Sequence, residues 1–389
     1  MSTDRRRRLF AAVPACTALL TTVSLSGCGL VGGGPEIPDR ATLSGASSVD
    51  EVGGMETLVA AAQQEGRLNA VAMPATWANY SEIIDRFEKR YGIDVTVENP
   101  DGTSQDAIRA VQEDRPQDKA VDVVEVGVAQ AQAAADQTLF ARYRIERDRD
   151  IPSGRRDPGS TWYANYGGYI SIGCAVQFMR ICPDTFADLL KPEYKGKVAL
   201  SGDPTKSNSA LSGVFAAALS DGGSFDDITP GVEFFAKLTD RGNYIPVKPT
   251  TESIKSGKTP IVINWDFKNS TSWKALLHTN AQWAVAIPED GVFAGHYATA
   301  INRKAAHPAA ARLWQEYLFS DEAQNLRLKG FARPVLMKPM QKSGSLDVIA
   351  AGWLPRLPHD QSVVPSSAQM AKAGKAVGEG WSRATGGAR

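Results

Sequence analysis

Apolar residues follow two spacings along this chain. Short runs that are continuous or alternating are typical of β-strands, and they occur at 68–73, 93–97 and 121–124. Between these runs, apolar residues recur every three or four positions at 80–91 and 105–113, which predicts amphipathic helices. A β-α-β-α-β order of this kind requires parallel strands joined by right-handed crossovers.

A second set of strands and helices follows. The predicted strands are 167–172, 197–200 and 260–265, with helices at 185–190, 209–219 and 231–238. A strand at 297–301 returns the chain to the first set, and a helix follows at 308–317. The sequence therefore predicts an α/β protein with two lobes, lobe 1 at 56–166 and 296–389 and lobe 2 at 167–295. Open α/β sheets bind ligands beyond the carboxyl ends of their strands, so we expect a ligand cleft between the lobes.

The N-terminus has the features of an export signal. Four arginines at 5–8 precede an apolar run at 9–25 that ends in Leu-Ser-Gly-Cys. The run is short and interrupted by polar residues, so 1–27 is predicted to be a cleaved secretory signal peptide rather than a transmembrane helix. The ending resembles the bacterial lipobox, which implies a lipid on Cys28 and attachment to the outer face of the cell membrane. An ordinary signal with a chance cysteine is the alternative, and Sec and twin-arginine export both stay open.

Composition narrows the classes of function. The chain has 43 Lys and Arg against 43 Asp and Glu, and this balance argues against nucleic acid as the main partner. Its four histidines never fall into a metal-ligand spacing, so we expect no histidine-rich metal site and no cofactor. Residues 28–55 are rich in Gly, Ser and Pro and are expected to form a flexible tether.

Two cysteines lie in the body of the chain, eight positions apart. In the oxidising exterior, Cys174 and Cys182 are predicted to form a disulfide that closes a small loop. The alternative is two unpaired thiols that act as small apolar side chains.

Several segments together carry a family resemblance. They are Trp-Ala-Asn-Tyr at 77–80 with the helix-to-strand junction at 87–93, the stretch 188–198, and the helices at 309–314 and 320–324. In this order they resemble the extracellular solute-binding proteins of family 1, with the type II periplasmic-binding fold. The resemblance implies a monomeric binding protein without enzyme activity that captures a small solute and delivers it to the permease of an ATP-binding-cassette (ABC) importer. Relatives bind polyamines, ferric iron, thiamine or phosphonates.

Candidate ligand-binding residues lie where a strand ends and a helix begins, because these junctions expose backbone N–H groups and side chains at the cleft. The junction at 73–80 offers an aromatic face, the hydroxyl- and amide-rich junction at 201–209 suits an anionic group, and the aromatic-carboxylate pair at 265–266 suits an ammonium group. The alternative at each junction is structural, with tryptophans in the core and polar residues as helix caps. The predicted ligand-binding residues are Thr76, Trp77, Asn79, Tyr80, Asp203, Thr205, Lys206, Ser207, Asn208, Trp265, Asp266, His296 and Tyr297.

Comparison with the relatives narrows the ligand. Trp77 and Trp265 stand where the polyamine-binding relatives have stacking tryptophans, but Asn79 and Lys206 stand where those relatives have acids. No Tyr-Tyr pair of the iron-binding type occurs. We therefore expect a small polar organic ligand, zwitterionic or amine-containing, with its amine at Trp265 and Asp266 and its acidic group at 205–209. A polyamine and a ferric ion remain as alternative ligands. A secreted lipid-anchored enzyme remains as the alternative class of protein, although no GxSxG or other catalytic signature is present.

Overall fold

The computed structural model describes residues 35–277, 279, 282–358 and 364–387. The strands in this part of the chain are β1 Arg67–Val71, β2 Asp94–Glu98, β3 Val123–Gly127, β4 Trp162–Ala175, β5 Val198–Leu200, β6 Ile261–Trp265, β7 Trp283–Ala286, β8 Ala294–Ile301 and β9 Arg333–Pro334. The α-helices there are α1 Arg40–Gly45, α2 Val49–Val52, α3 Met55–Glu65, α4 Tyr80–Tyr91, α5 Ser104–Gln112, α6 Val128–Asp136, α7 Asn208–Ser220, α8 Thr229–Asp240, α9 Thr251–Lys255, α10 Asp266–Leu276, α11 Pro308–Leu318, α12 Asp321–Lys329, α13 Met337–Ser343, α14 Val348–Ala351 and α15 Ser367–Ala384. The predicted signal peptide and Cys28 lie outside the described residues.

The strands form a curled sheet in the order β2-β1-β3-β8-β4-β6-β5, with β7 and β9 added beside β4. In lobe 1, β1 is parallel to β2 and β3, as the sequence predicts. In lobe 2, β5 is parallel to β6. The long β4 joins them, because its first half pairs with β8 and its second half pairs with β6 and β7. All 14 of its residues are buried, and the predicted strand at 167–172 is the central part of it. The chain thus has the two-lobed α/β fold.

Each lobe has its own aromatic core. In lobe 1, Phe87 of α4 packs edge-on against Trp314 of α11, with a centroid separation of 5.0 Å. In lobe 2, Phe215 of α7 stacks on Phe293 at 5.4 Å. The predicted helix at 185–190 is instead a short 3₁₀ turn at Ala187–Leu190, since Pro192 follows closely and disfavours a longer helix.

The expected flexible tether is largely an ordered part of lobe 1. Within 28–55, helices α1 and α2 bury Leu43, Val49 and Val52 in the core. The buried Arg312 of α11 donates hydrogen bonds from its guanidinium group to the carbonyl oxygens of Ser44 and Ala46. The prediction of a flexible tether is therefore wrong from α1 onward. Arg312, which is far away in the sequence, donates the hydrogen bonds that hold the backbone of this segment.

The sequence analysis assigned the last helix, α15, to lobe 1, but the structure shows its buried face packed on lobe 2. The buried side of α15 carries Met370, Ala373, Val377 and Trp381, all of which join the core of lobe 2. The Trp381 ring lies 5.0 Å from that of Phe235 in α8. The apolar spacing of α15 indicates a buried helix face but not which lobe covers it.

Cys174 and Cys182 are joined by a disulfide, with their Cα atoms 5.9 Å apart. Cys174 lies near the end of β4, so the bond fixes the segment that leaves this strand. None of the helices in the described ranges is sufficiently long and apolar to cross a lipid bilayer.

Glu316 of α11 makes stability depend on pH. Burial raises the pKa of Glu316 to about 7 from 4.5, although hydrogen bonds from the Glu146 backbone and the Tyr143 hydroxyl oppose this. The folded chain therefore holds this proton more tightly than the unfolded chain. Its stabilising contribution is full below pH 4.5 and is lost as the pH rises through about 7.

The side chain of Glu316→Gln stays neutral at both pH values, whereas that of wild type loses its proton. We therefore expect the difference in free energy of unfolding, variant minus wild type, to rise by about 2–3 kcal/mol between pH 4.5 and pH 8. Urea unfolding at the two pH values measures this difference. Glu193→Gln, at an exposed position, is the control. An equal difference between wild type and Glu316→Gln at both pH values would contradict the expectation.

Candidate ligand cleft

A cavity of about 410 Å³ lies where strands of both lobes end. Its walls come from the loop after β1, the turn before α5, the loop between β5 and α7, the end of β6, the start of α10 and the middle of β8. It is lined by the predicted residues Thr76, Trp77, Asp203, Lys206, Ser207, Asn208 and Tyr297. The predicted residues Asn79, Tyr80, Thr205, Trp265, Asp266 and His296 do not line it.

Trp77 forms an aromatic wall of the cavity and is held from several sides. Its indole Nε1 donates a hydrogen bond to the Tyr166 hydroxyl at 2.6 Å, and its ring packs edge-on against Phe267 and Tyr297. The Nζ of Lys268 lies 5.2 Å from the centre of the Trp77 ring. This aromatic face therefore already meets a cation supplied by the protein itself.

Tyr80 belongs to a buried cluster of polar side chains behind Trp77. The Glu125 carboxylate accepts hydrogen bonds from the hydroxyls of Tyr80 and Tyr166, and it lies 3.6 Å from the guanidinium group of Arg327. Arg327 also lies over both tyrosine rings, at 4.0 and 4.5 Å. Burial raises the pKa values of Tyr80 and Tyr166, so both remain protonated donors. The Tyr80 hydroxyl is thus hydrogen-bonded to Glu125, and the prediction that Tyr80 faces the cleft is wrong.

Asn79 also points away from the cleft. It adopts a left-handed backbone conformation at the start of α4, with φ at 63°. Its side-chain amide donates to the carbonyl oxygen of Leu326 and to the Glu82 carboxylate. Asn79 therefore connects α4 to α12, and Gly330 gives it the necessary space, because a Cβ there would lie 2.7 Å from Asn79.

The junction at 201–209 combines a turn with a helix cap. Asp203 accepts hydrogen bonds from the backbone N–H and the hydroxyl of Thr205, and its carboxylate lies 3.6 Å from Lys206. Ser207 caps α7 by accepting from the backbone N–H of Ala210. Asp203, Lys206, Ser207 and Asn208 face the cleft, as expected of a strand-to-helix junction. Thr205 faces a neighbouring cavity between α6 and α15 instead.

The predicted amine-binding pair is buried. Trp265 is 1% exposed, and its Nε1 donates to the hydroxyl groups of Ser209 and Tyr297. Asp266 is 0% exposed, forms an ion pair with Arg333 and accepts hydrogen bonds from two backbone N–H groups. An ammonium group of a ligand has no free carboxylate here. The prediction fails because side chains alternate along β6, so that Asn264 faces the cleft while Trp265 faces the core.

His296 lies beside a separate small cavity that also contacts Trp265 and Arg155. Its ring packs against Gly167, where a Cβ would lie 2.7 Å from it. Burial, together with the charge of Arg155, lowers the pKa of His296 to about 3, so its ring is neutral. His296 therefore does not act at the cleft, in contrast to the prediction.

Sequence reasoning missed the other cleft residues, which include Asp101, Thr103, Ser104, Lys248, Asn264 and Lys268. Two signals point to some of them. Thr103 and Ser104 open a helix after β2, which is the same kind of junction as the predicted ones. Asn264 and Lys268 flank the predicted pair at 265–266, so they belong to the same strand-to-helix junction.

The cleft has a net positive character. Helices α5 and α7 both begin at it, and the N-terminus of α7, which has no acid in its first turn, adds partial positive charge, whereas Asp106 offsets that of α5. Lys206, Lys248 and Lys268 line the same cavity. Burial lowers the pKa of Lys268; the Asp101 carboxylate opposes this shift, and the charge of Lys248 adds to it. The site therefore suits an anionic group rather than a cation. Across the described residues, His, Cys, Asp and Glu form no group of three that is able to hold a metal ion.

Comparisons with known proteins agree with this architecture. The iron-bound protein HitA from Pseudomonas aeruginosa has 17% identity and a TM-score of 0.60, with coverage of 82% of this chain and 99% of that chain. AfuA from Actinobacillus pleuropneumoniae, with fructose-6-phosphate bound, has 17% identity and a TM-score of 0.59, with coverage of 81% and 98%. The Atu4243-GABA receptor has 18% identity and a TM-score of 0.61, with coverage of 82% and 97%. These likenesses establish the two-lobed fold of the periplasmic binding proteins.

Among curated proteins, none matches the sequence. The sequence model described as bacterial extracellular solute-binding protein matches residues 118–351. This match covers more than half of the chain and includes all of lobe 2 and about half of lobe 1. The chain therefore belongs to the bacterial extracellular solute-binding proteins.

Proposed function

We propose that this protein is a lipid-anchored binding protein that captures a small organic anion in its cleft and delivers it to the permease of an ABC importer. The observation that carries this proposal is that the N-termini of α5 and α7 meet Lys248 and Lys268 at one cavity, and that these two lysines form no ion pair among the described residues. Of the three acids that line the cavity, Asp203 pairs with Lys206 and Glu125 pairs with Arg327, which leaves Asp101.

The size and walls of the cavity favour an organic ligand over a bare ion. A volume of about 410 Å³ falls in the range of small-molecule sites. Trp77 and Tyr297 add aromatic surface beside the polar groups, which suits a carbon skeleton. A structural neighbour that holds fructose-6-phosphate supports this class of ligand in the same fold.

The two groups that the sequence analysis expected to bind the amine of a zwitterionic ligand already have partners within the protein. Asp266 is paired with Arg333, and the Trp77 face meets Lys268. Polycations lack free carboxylates at the cleft for the same reason, apart from the exposed Asp101. The tyrosines near the cleft are protonated hydrogen-bond donors, which disfavours the phenolate ligands of a ferric site. We propose that the protein binds its solute without chemical turnover.

A ligand panel tests the proposal. We expect phosphate monoesters, phosphonates or organic acids to raise the melting temperature of stripped protein, with about 2.7 kcal/mol of stabilisation at a hundredfold excess over Kd. Spermidine and ferric citrate are expected to have no effect. Differential scanning fluorimetry followed by titration calorimetry measures both results, and NMR of the recovered ligand checks that it is unchanged. Stabilisation by spermidine or ferric citrate alone would contradict the proposal.

The Tyr166 hydroxyl is expected to support ligand affinity by positioning Trp77. Tyr166→Phe keeps the ring but removes the hydrogen bonds to Trp77 and Glu125. We expect about a fivefold to tenfold loss of affinity for the best ligand of the panel, equivalent to one hydrogen bond. Tyr143→Phe is the matched control, because it loses a hydroxyl bond to the Glu316 carboxylate and does not line the cleft. Equal affinities for the two variants would refute this role.

We further propose that Cys28 carries the lipid anchor. Its support is the lipobox-like ending of the signal peptide. We expect wild type expressed in a bacterium to incorporate a clickable fatty acid and to fractionate with membranes. Cys28→Ala is expected to lose both properties, while Cys16→Ala, within the removed segment, keeps them. Membrane association that survives Cys28→Ala would exclude this anchor.

A further inference from the structure

Lys268 connects the two lobes across the cleft. Its backbone lies in the first turn of α10 in lobe 2, whereas Trp77 lies in the loop after β1 in lobe 1. The Nζ of Lys268 is 5.2 Å from the centre of the Trp77 ring. Among the described residues its ammonium group has no hydrogen bond or ion pair, and Asp101 acts on it only at longer range. This largely enclosed cation is therefore stabilised by an aromatic face but lacks an anion.

The remaining charges of the cleft indicate how much negative charge a ligand brings. Lys206 is balanced by Asp203, and Glu125 is balanced by Arg327. Lys248 and Lys268 then stand against the single exposed Asp101. The N-terminus of α7 adds about half a positive charge, whereas the Asp106 carboxylate in the first turn of α5 offsets the partial charge of that helix. The sum is about one and a half unmatched positive charges, which a doubly charged anion neutralises and a singly charged carboxylate leaves partly unmatched.

We propose that Lys268 is the specificity-determining residue of the cleft: together with Lys248 it selects doubly charged organic anions, such as phosphate monoesters, over carboxylates, and it makes closure of the lobes depend on that charge. This inference rests on the proposed function and names the substrate class of the same site.

Closure of the lobes depends on the charge of the ligand because closure buries the Lys268 ammonium group. Bringing the lobes together removes water from the Lys268 ammonium group, which is costly while that group has no anionic partner. A bound phosphate supplies the partner from within the cleft, and the Lys268 contact with Trp77 then stabilises the closed arrangement. An empty cleft lacks this partner, so the empty protein stays open more of the time.

The test compares ligands that differ only in their charged group. Glucose 6-phosphate is paired with glucuronate, and glycerol 3-phosphate with glycerate, and each Kd is measured by calorimetry. For wild type we expect about tenfold or greater preference for the phosphate in at least one pair, and for Lys268→Met a preference below about threefold. Lys268→Arg is expected to keep the preference. Lys274→Met, at an exposed position of the same helix outside the cavity, is the matched control and is expected to leave both affinities unchanged.

Small-angle scattering gives the closure readout. Glucose 6-phosphate is expected to contract wild type and Lys274→Met but not Lys268→Met. If Lys268→Met is unstable, Lys248→Met is the second variant and is expected to lose the same phosphate preference. An unchanged preference in Lys268→Met, or a wild type that prefers carboxylates, overturns this inference and leaves the proposed binding of organic anions intact. A wild type that binds none of the four probes and no other anion overturns both.

Discussion

The buried ion pair between Glu125 and Arg327 is the interaction on which the cleft depends. It joins the middle of β3 to the last turn of α12, and the tyrosines that surround it come from α4 and β4. Two tyrosine hydroxyls donate to the carboxylate, and the guanidinium group lies over both of their rings. A charge pair taken out of water needs partners of this kind on every side. Removing either charge alone leaves the other unpaired, at a typical cost of about 3–5 kcal/mol.

This cluster also determines the surface that the ligand meets. Tyr166 donates to Glu125 and accepts from Trp77, so the position of the aromatic wall is set by a charge behind it. Because Arg327 balances Glu125, this carboxylate adds no net negative charge to the cleft. The lysines and helix N-termini then dominate the electrostatics of the cavity, which is why the structure favours an anion where the sequence suggested a zwitterion.

The lobes are linked by backbone and by side chains in different ways. The first half of β4 pairs with β8, with one register shift, and β4 continues into lobe 2, where it pairs with β6 and β7. Helix α15 packs on α8 of lobe 2, although it follows a segment of lobe 1. Lys268 and Trp77 meet across the cleft. A motion of the lobes relative to each other would therefore bend β4 and change the contact between Lys268 and Trp77, as in a hinge.

The sequence by itself determined the central strands and the helices between them, the two-lobed α/β class and the three strand-to-helix junctions, because apolar periodicity and helix-start residues are local properties. It did not determine which junction side chains face the ligand. Tyr80 and Asp266 meet partners at Glu125 and Arg333, far away in the chain, and these partners bury them. Residues of the expected tether are likewise ordered by Arg312. Only the tertiary structure decided these outcomes, since burial and charge pairing depend on neighbours that approach through folding and leave no periodic signal.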